Sequence, residues 1–360
     1  MHLIKTQLRR LASMALVLSP NAHFRDGGRG PARTIARNFT LAVLGAMIVA
    51  NAQPAFAQKS YRIYTIAETF GDSVAGLQAI AANGTFLGYA QESIALIRGN
   101  SIQPLDTPPG PFAPGSASYT SINASLATAG VAYLDDGSDT VAFVRDAGGK
   151  FRFLSFPAGA TPQTTGINDN GDVVGFYYGE DLDGPIAFRP FGFIADQNGF
   201  RTIDVPGAAD VEPMGINASG TVVGNYFVFN GDFEGHSFIM DKKGITEFTI
   251  PGAKFFSANC INNNGAIGGW YSDGTKAYAF VSKGGKISTI DYARSDLPAS
   301  ITRKVRGQDV VFVRSDSSPQ VTSINDRGDI VGYTSDFYRS ADPTLPFGLF
   351  FQKSFWGTPH

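Results

Sequence analysis

GINDNGDVVG, at residues 166–175, returns almost unchanged as GINASGTVVG at residues 215–224. Weaker copies recur along the chain, and their alignment gives six anchor isoleucines: Ile80, Ile122, Ile167, Ile216, Ile261 and Ile324. The anchors are spaced 42, 45, 49, 45 and 63 residues apart. A phrase that recurs at such intervals indicates a repeat architecture, because each copy forms one supersecondary unit that packs against its neighbours.

The aligned copies share two glycine columns. Eight residues after each anchor there is a glycine: Gly88, Gly130, Gly175, Gly224, Gly269 and Gly332. Four residues after the anchor, five copies have glycine and the second copy has Leu126. Since asparagine can bond its own backbone and glycine accepts a positive φ, the Asn-x-x-Gly segment predicts a tight turn. The apolar run after the turn predicts a strand that is buried on both faces, between two neighbouring sheets.

Two further strands follow in the repeats. In the third copy they lie at residues 192–194 and, after a glycine turn, at residues 202–206. Each repeat therefore predicts four short antiparallel strands, which are the unit of a β-propeller blade. The last repeat ends after its third strand, whereas residues 61–66 form an additional strand of the outer type. We predict an all-β, six-bladed β-propeller of four-stranded antiparallel blades, in which residues 61–66 join the last blade and close the ring.

The first 57 residues have the pattern of an export signal. They carry seven basic residues and one acid, and they end in an apolar run at residues 39–50 and an Ala-x-Ala exit at residues 55–57. This order predicts a secretory signal that is cleaved near Ala57. The apolar run is too short to span a bilayer comfortably, so we expect no membrane span in the mature chain. The predicted domains are a cleaved leader at 1–57 and a single propeller at 58–360, which would be secreted or periplasmic.

Charge and cysteine content narrow the possible partners. Residues 58–360 include 22 basic and 30 acidic residues, which gives a net charge of about −8. This balance argues against nucleic acid and anionic membrane as partners, because both repel an acidic protein. Cys260 is the single cysteine, so no internal disulfide can form. It lies in a column of small side chains directly before the anchors, which favours a buried hydrophobe over a reactive thiol.

The repeat resembles the HAF family of extracellular repeats. In that family a Gly-Ile-Asn-x-x-Gly-x-Val-Val-Gly phrase precedes a His-Ala-Phe-like strand, and the best match here is residues 215–224 followed by His236-Ser237-Phe238. The resemblance covers roughly residues 75–352, and it implies export and repeats but no defined activity. The signature histidine occurs in this copy alone, so the resemblance assigns no functional residue to the chain.

An insertion of about 18 residues falls within residues 293–319, before the last anchor. It contains an apolar run at residues 310–313 and several basic residues: Arg294, Arg303, Lys304, Arg306 and Arg314. The simpler interpretation is a surface hairpin or loop over one face of the propeller. The alternative is a lid or a partner contact, because long loops on rigid scaffolds often carry function.

The sequence offers few groups for catalysis or metal binding. The mature chain has two histidines, His236 and His360, which argues against a Ser-His-Asp triad and against a His-rich metal site. The segment from Asp181 to Gly184, with Asp183 between, resembles part of a calcium loop, but it lacks the regular spacing and the distal glutamate. Solvated turn residues are the simpler interpretation. We therefore predict no cofactor, with calcium at Asp181 and Asp183 as the alternative.

Asparagine follows the anchor in five of the six copies: Asn123, Asn168, Asn217, Asn262 and Asn325. If the anchor strands line the central channel, these residues could form a partial ring of polar, ligand-binding groups there. Alternatively, each asparagine forms a side-chain-to-backbone bond within its own turn. Trp270 is a further candidate, because an aromatic ring can stack on a sugar, although the same position could serve packing between blades.

The leading functional hypothesis is an exported, non-enzymatic binding module, whose ligand is an extracellular carbohydrate or protein met at one face of the propeller. The alternative is a calcium- or carboxylate-dependent hydrolase or lyase that acts on extracellular polysaccharide, because paired carboxylates can perform acid–base chemistry without histidine. A structural element of an envelope assembly is a third hypothesis. Two carboxylates about 5–10 Å apart at the channel would favour the enzyme. No catalytic residue is assigned.

Overall fold

The computed structural model describes residues 61–360, apart from residues 138, 182–187, 198, 291, 293–297, 306–307 and 343–347 and the side chain of Phe233. The predicted leader at residues 1–57 lies outside the described residues.

The described residues form six antiparallel sheets. The first sheet consists of β2 (Val74–Ile80), β3 (Phe86–Ala90), β4 (Ser93–Arg98) and β5 (Ser101–Pro104). The second consists of β6 (Ser118–Ile122), β7 (Thr128–Tyr133), β8 (Thr140–Arg145) and β9 (Phe151–Phe153). The third consists of β10 (Thr161–Ile167), β11 (Val173–Glu180), β12 (Phe188–Asp196) and β13 (Gly199–Ile203).

The remaining sheets continue in chain order. The fourth consists of β14 (Asp210–Ile216), β15 (Val222–Phe229), β16 (Phe233–Asp241) and β17 (Gly244–Phe248). The fifth consists of β18 (Phe255–Ile261), β19 (Ile267–Ser272), β20 (Ala277–Lys283) and β21 (Lys286–Ile290). The sixth has the order β1 (Tyr61–Thr65), β25 (Gly348–Pro359), β24 (Ile330–Ser340), β23 (Gln308–Ile324) and β22 (Ser300–Val305). A short helix, α1 (Ile66–Phe70), and a 3₁₀ turn at Gly71–Ser73 connect β1 to β2.

Each of the first five sheets is an up-and-down meander, in which consecutive strands pair. The anchor isoleucine ends the first strand of each of the first five sheets and ends β23 in the sixth, and the apolar run after the turn forms the next strand. Six such sheets in succession confirm the predicted all-β fold of six propeller blades. The fold follows from the repeats, because each copy encodes the same turns between strands that are too short to bury their faces alone.

Apolar side chains fill the spaces between successive sheets. One buried cluster joins Val174 and Ile194 of the third sheet to Val222 and Phe238 of the fourth. Within a sheet, the glycine eight residues after the anchor permits close packing of neighbouring strands. A Cβ atom on Gly175 would overlap the carbonyl oxygen of Gln163 and lie 3.0 Å from the Phe193 ring. A strand with a side chain at this position would not fit its neighbour.

In every sheet, a β-bulge interrupts the register of the strand that ends at the anchor, just before the anchor. In the third sheet the shift falls between Thr164 and Gly166, and in the fourth between Pro213 and Gly215. The extra residue in the third sheet is Thr165, whose Oγ1 donates to the carbonyl oxygen of Pro213 in the next sheet at 2.6 Å. Bulges re-aim side chains, and here the bulge supplies a polar link between neighbouring sheets.

The N-terminal strand completes the sixth sheet. β1 pairs antiparallel with β25, with Tyr61 opposite Pro359 and Thr65 opposite Phe355. The predicted strand at residues 61–66 ends at Thr65, because Thr65 and Glu68 form a capping box that starts α1. The sixth sheet also contacts the first, since the amide nitrogen of Ile80 donates to Ser323 Oγ at 3.1 Å.

The described part of the predicted insertion lengthens the sixth sheet. Residues 300–305 form β22 and residues 308–319 belong to β23, while β24 and β25 extend to match them. A separate buried cluster of Val310, Phe312 and Tyr338 stabilises this extension. Among the described residues there is no helix of the length and apolarity needed to cross a membrane.

Candidate functional site

The six turns after the anchors meet around one pocket, to which every repeat contributes. Its lining consists of the six anchor isoleucines and of residues one or two positions further on: Ala81, Ala82, Asn123, Ala124, Asn168, Asp169, Asn262, Asn263, Asn325 and Asp326. The cavity volume is about 70 Å³. A cavity needs about 10–15 Å³ to hold one water molecule, so this pocket has room for a few waters or a small hydrated ion.

The asparagine column builds the turns that surround the pocket. In each of the five copies Oδ1 accepts hydrogen bonds from the backbone nitrogens two and four residues further on. For Asn262 the donors are Asn264 N at 3.1 Å and Ala266 N at 2.9 Å. The asparagines are 3–5 % exposed, so their buried side-chain oxygens need these backbone donors as partners.

The same side chains link each repeat to the next. Nδ2 of Asn123 donates to the carbonyl oxygen of Asn168 at 2.9 Å, and the pattern continues through Asn217, Asn262 and Asn325. The last link runs from Asn325 Nδ2 to the carbonyl oxygen of Ala81, at 3.3 Å. We call these five bonds the asparagine ladder. The turn bond considered from the sequence is present, and a role of the five asparagines in ligand binding stays a prediction.

Three residues at the next position converge at the mouth of the pocket: Asp169, Asn263 and Asp326. Asn263 Nδ2 donates to Asp169 Oδ2 at 2.8 Å and to Asp326 Oδ2 at 2.9 Å. The two N–H bonds of an amide diverge by about 120°, so the two carboxylate oxygens lie roughly 5 Å apart. All three side chains are exposed. The arrangement presents two negative charges, held apart by one neutral donor, to a ligand above the pocket.

Backbone donors hold the other carboxylate oxygens in place. Asp169 Oδ1 accepts from Ala124 N at 2.8 Å, and Asp326 Oδ1 accepts from Asn263 N at 2.9 Å. Asn263 Oδ1 accepts from Ala218 N at 2.8 Å. Each side chain therefore bonds to the backbone of another repeat. The site is preorganised, because the same bonds that align neighbouring turns also fix the carboxylates.

Trp270 and Asp181 are not among the residues that line this pocket. Trp270 is half-buried on β19. Asp181 forms an ion pair with Arg189 Nε at 2.5 Å. Asp183 lies outside the described residues. Among the described residues no group of three His, Cys, Asp or Glu side chains is arranged to hold a metal ion. Calcium at this loop stays a prediction.

A second acidic pair lies at the start of the fourth sheet. Asp210 and Glu212 alternate on β14, so their side chains share one face of the strand. Burial, and then the neighbouring Glu212, raise the pKa of Asp210, while Arg189 opposes the shift. Burial also raises the pKa of Glu212. Asp210 Oδ1 is buried without a hydrogen-bond partner among the described groups. Sequence reasoning missed this pair, although two acids at alternate positions of an otherwise apolar strand are a usable signal.

Comparison with known proteins gives weak similarities. No family model matches the chain, and no curated protein matches it. A solved structure from Agrobacterium tumefaciens, provisionally described as TolB, has 11% identity and a TM-score of 0.42 over 64% of this chain and 88% of that chain. Another, provisionally described as a gluconolactonase, has 10% identity and a TM-score of 0.40 over 85% of this chain and 94% of that chain. At this level neither structure bears on what this chain binds or does.

Proposed function

We propose that the protein is an exported binding module that meets its ligand across the face formed by the six turns. The observation that supports this most is the convergence of Asp169, Asn263 and Asp326 at the mouth of a pocket shared by all six repeats. Convergent polar groups on a rigid scaffold are the usual basis of a binding site. The proposal includes a closed ring, supported by the pairing of β1 with β25 and by the bonds from the sixth sheet to the first.

The size of the pocket favours a ligand larger than the pocket itself. A cavity of about 70 Å³ is well below the volume of typical small-molecule sites, which is roughly 300–1,000 Å³. The ligand would therefore lie over the turns and insert one hydroxyl group or cation between the carboxylates. Most exposed residues of the turns are polar, among them Asn170, Ser219 and Asn264. Such a surface suits the hydroxyl groups of an extracellular carbohydrate, or a polar protein surface.

Catalysis is the second candidate, and one distance favours it. The carboxylate oxygens of Asp169 and Asp326 lie roughly 5 Å apart, close to the separation of about 5–5.5 Å between the two carboxyl groups of retaining glycosidases. In that case one residue would act as nucleophile and the other as acid and base. We place binding first, because both carboxylates already accept backbone hydrogen bonds and share one donor. A nucleophile held by several donors is less reactive.

Export is part of the same proposal. It is supported by the basic leader, the apolar run and the Ala-x-Ala exit within residues 1–57, and by the resemblance to HAF repeats. N-terminal sequencing of the exported protein is expected to begin near Gln58. A start at the first methionine in an exported sample would contradict the predicted cleavage.

The test of the binding function is thermal unfolding of the mature protein with EDTA, with calcium and with a panel of soluble polysaccharides. A ligand that binds the native state raises the melting temperature in a saturable way. We expect a polysaccharide response that is lost in the Asp169→Asn, Asp326→Asn double variant and retained in a control variant, Asp204→Asn. Release of reducing sugar, lost in the same double variant, would favour the hydrolase. If no compound shifts the melting temperature, the carbohydrate proposal fails and a protein ligand takes its place.

A further inference from the structure

The extension of the sixth sheet carries an apolar surface of its own. Val311, Val313 and Phe337 are 43%, 46% and 45% exposed, whereas Val310 and Phe312 on the opposite face of β23 are buried. Strand pairing places Val311 opposite Thr302, and Val313 opposite Ser300 and Arg339. Paired residues share a face of the sheet, so the two valines form a stripe flanked by polar and basic side chains.

Among the residues that the structure describes, no strand pairs with the outer edge of this extension. β22 is the last strand in its sheet, and Ser300, Thr302 and Lys304 are exposed. Arg314 N donates to the carbonyl oxygen of Ala299, so residues 299 and 314 form a hydrogen-bonded pair. In an antiparallel ladder, hydrogen-bonded pairs alternate with pairs that are not hydrogen-bonded. Ile301 and Arg303 therefore belong to hydrogen-bonded pairs, and they direct their backbone groups toward β23. Ser300, Thr302 and Lys304 therefore direct their N–H and C=O groups outward, where another strand can pair with them.

Charge limits what can pair with this edge. Arg303 and Lys304 are adjacent and exposed, and in a strand they project from opposite faces. Lys304 Nζ lies 3.4 Å from Asp309 Oδ1, an exposed ion pair that is worth little and can exchange for a carboxylate of a partner. A second copy of β22 in antiparallel pairing would bring like charges together, which is destabilising. A strand with acidic residues at its centre would place one carboxylate beside each basic side chain. The remaining mature chain is strongly acidic, so this basic edge is a local exception.

We propose that the edge of β22, with the stripe of Val311 and Val313 beside it, docks an extended acidic segment of a partner protein by strand addition. Main-chain hydrogen bonds to Ser300, Thr302 and Lys304 supply affinity, and the two basic side chains select acidic sequences. This surface is separate from the turn face, and the proposal stands or falls independently of the carbohydrate hypothesis.

The test uses the mature protein and two fluorescent ten-residue peptides. One has the sequence Thr-Val-Thr-Val-Glu-Glu-Val-Thr-Val-Thr, and the other has lysine in place of both glutamates. We expect the glutamate peptide to bind at least about tenfold more tightly by fluorescence anisotropy. It is also expected to slow amide hydrogen exchange at residues 300–305. The Arg303→Glu, Lys304→Glu double variant is expected to reverse the preference, while the control Lys242→Glu, Lys243→Glu double variant keeps it.

A proline variant separates strand addition from simple charge attraction. The N–H of Thr302 points away from β23, so Thr302→Pro leaves the pairing of β22 with β23 intact but removes an outward donor. We expect this variant to lose at least about tenfold in affinity for the glutamate peptide with an unchanged melting temperature. Equal binding of both peptides, no saturable binding, or an unaffected Thr302→Pro variant would overturn the proposal. So would slowed exchange at residues 300–305 with vesicles of phosphatidylcholine and phosphatidylglycerol but not with peptide.

Discussion

Nδ2 of Asn263 lies 2.8 Å from Oδ2 of Asp169, a residue 94 positions earlier in the chain. The same nitrogen is 2.9 Å from Oδ2 of Asp326. One neutral amide thus bonds to two carboxylates that come from repeats distant in sequence. Because the amide lies between two negative charges, its removal has a consequence that depends on ionic strength.

Asn263→Ala is expected to lower the melting temperature more at low than at high ionic strength. The variant leaves the two carboxylates without their shared donor, and salt screens the repulsion between them. We expect a loss of about 2 °C at pH 7 and low ionic strength for a domain of this size. Asn170→Ala is the matched control, because Asn170 Nδ2 donates to a neutral acceptor, the carbonyl oxygen of Ala218, at 2.9 Å. An equal loss at low and at high ionic strength in the Asn263→Ala variant would contradict this account.

The asparagine ladder can be tested at Asn262. Its side chain accepts from two backbone nitrogens and donates to the carbonyl oxygen of Asn325 at 2.8 Å, all in a buried position. At about 1 kcal/mol for each hydrogen bond, Asn262→Ala is expected to lower the free energy of unfolding by about 3 kcal/mol. Denaturant unfolding measures this. Asn264→Ala removes one exposed hydrogen bond to the Asp326 carbonyl oxygen. It is expected to lower the free energy of unfolding by about 1 kcal/mol or less. Similar losses in both variants would show that the ladder adds nothing.

The glycine column predicts a severe packing defect. Gly175→Ala places a methyl group against the carbonyl oxygen of Gln163 and the Phe193 ring, and backbone cannot move aside cheaply. We expect a loss of about 3 kcal/mol or more in the free energy of unfolding. In Gly148→Ala, the new atom would lie 3.3 Å from a flexible side-chain atom of Asp146. That control is expected to stay within about 0.5 kcal/mol of the parent. A well-folded, fully stable Gly175→Ala protein would argue against the close packing of β11 against its neighbouring strands in the third sheet.

Asp210 makes stability depend on pH. Burial and Glu212 raise the pKa of Asp210 to about 8. Between the ordinary aspartate pKa of about 4 and this value, the folded state keeps a proton that the unfolded chain has released. Stability from this group therefore falls as the pH rises from 4 to 8 and changes little above that.

Asp210→Asn removes this penalty. The melting temperature of the variant relative to the parent is expected to rise with pH, reaching a gain of about 3 °C at pH 8. Asp204→Asn, on an exposed residue, is expected to show no such trend. A variant that is less stable than the parent at pH 8 would mean that the ionised Asp210 carboxylate stabilises the fold instead.

The sequence predicted the fold because the same residue types recur at the same positions of each repeat. The anchor isoleucine and the glycine eight residues later mark the same two strands in every copy, so one interpretation accounts for all six sheets. The outer strand missing from the last repeat predicted the place of β1, because a strand at residues 61–66 can complete the four-stranded blade. The bulge before each anchor was not predicted, because Thr165 and its equivalents differ in type and the shift affects only backbone register.

The candidate site was predicted less well. The asparagine column was visible, but not Asn263 as a bridge, because its partners are 63 and 94 residues away and meet it only when the sheets are arranged around the pocket. Asp169 belongs to an Asn-x-x-Gly segment, which predicts a turn and does not show that the side chain reaches Asn263. Trp270 was proposed for its chemistry alone, and chemistry does not tell which strand position reaches the pocket.

The asparagine ladder has a direction and a gap. Each side-chain amide donates to the following repeat, from Asn123 through to Asn325, which donates to the carbonyl oxygen of Ala81. Ala81 has no side-chain amide with which to reach Asn123. The junction between the first and second sheets therefore lacks one crosslink that the other junctions have. If the chain were circularly permuted so that its new ends fell in this junction, the ends would separate no two repeats that the asparagine ladder joins. New ends at any other junction would separate two repeats that it does join. The same junction is where a seventh repeat could be introduced with the fewest broken bonds.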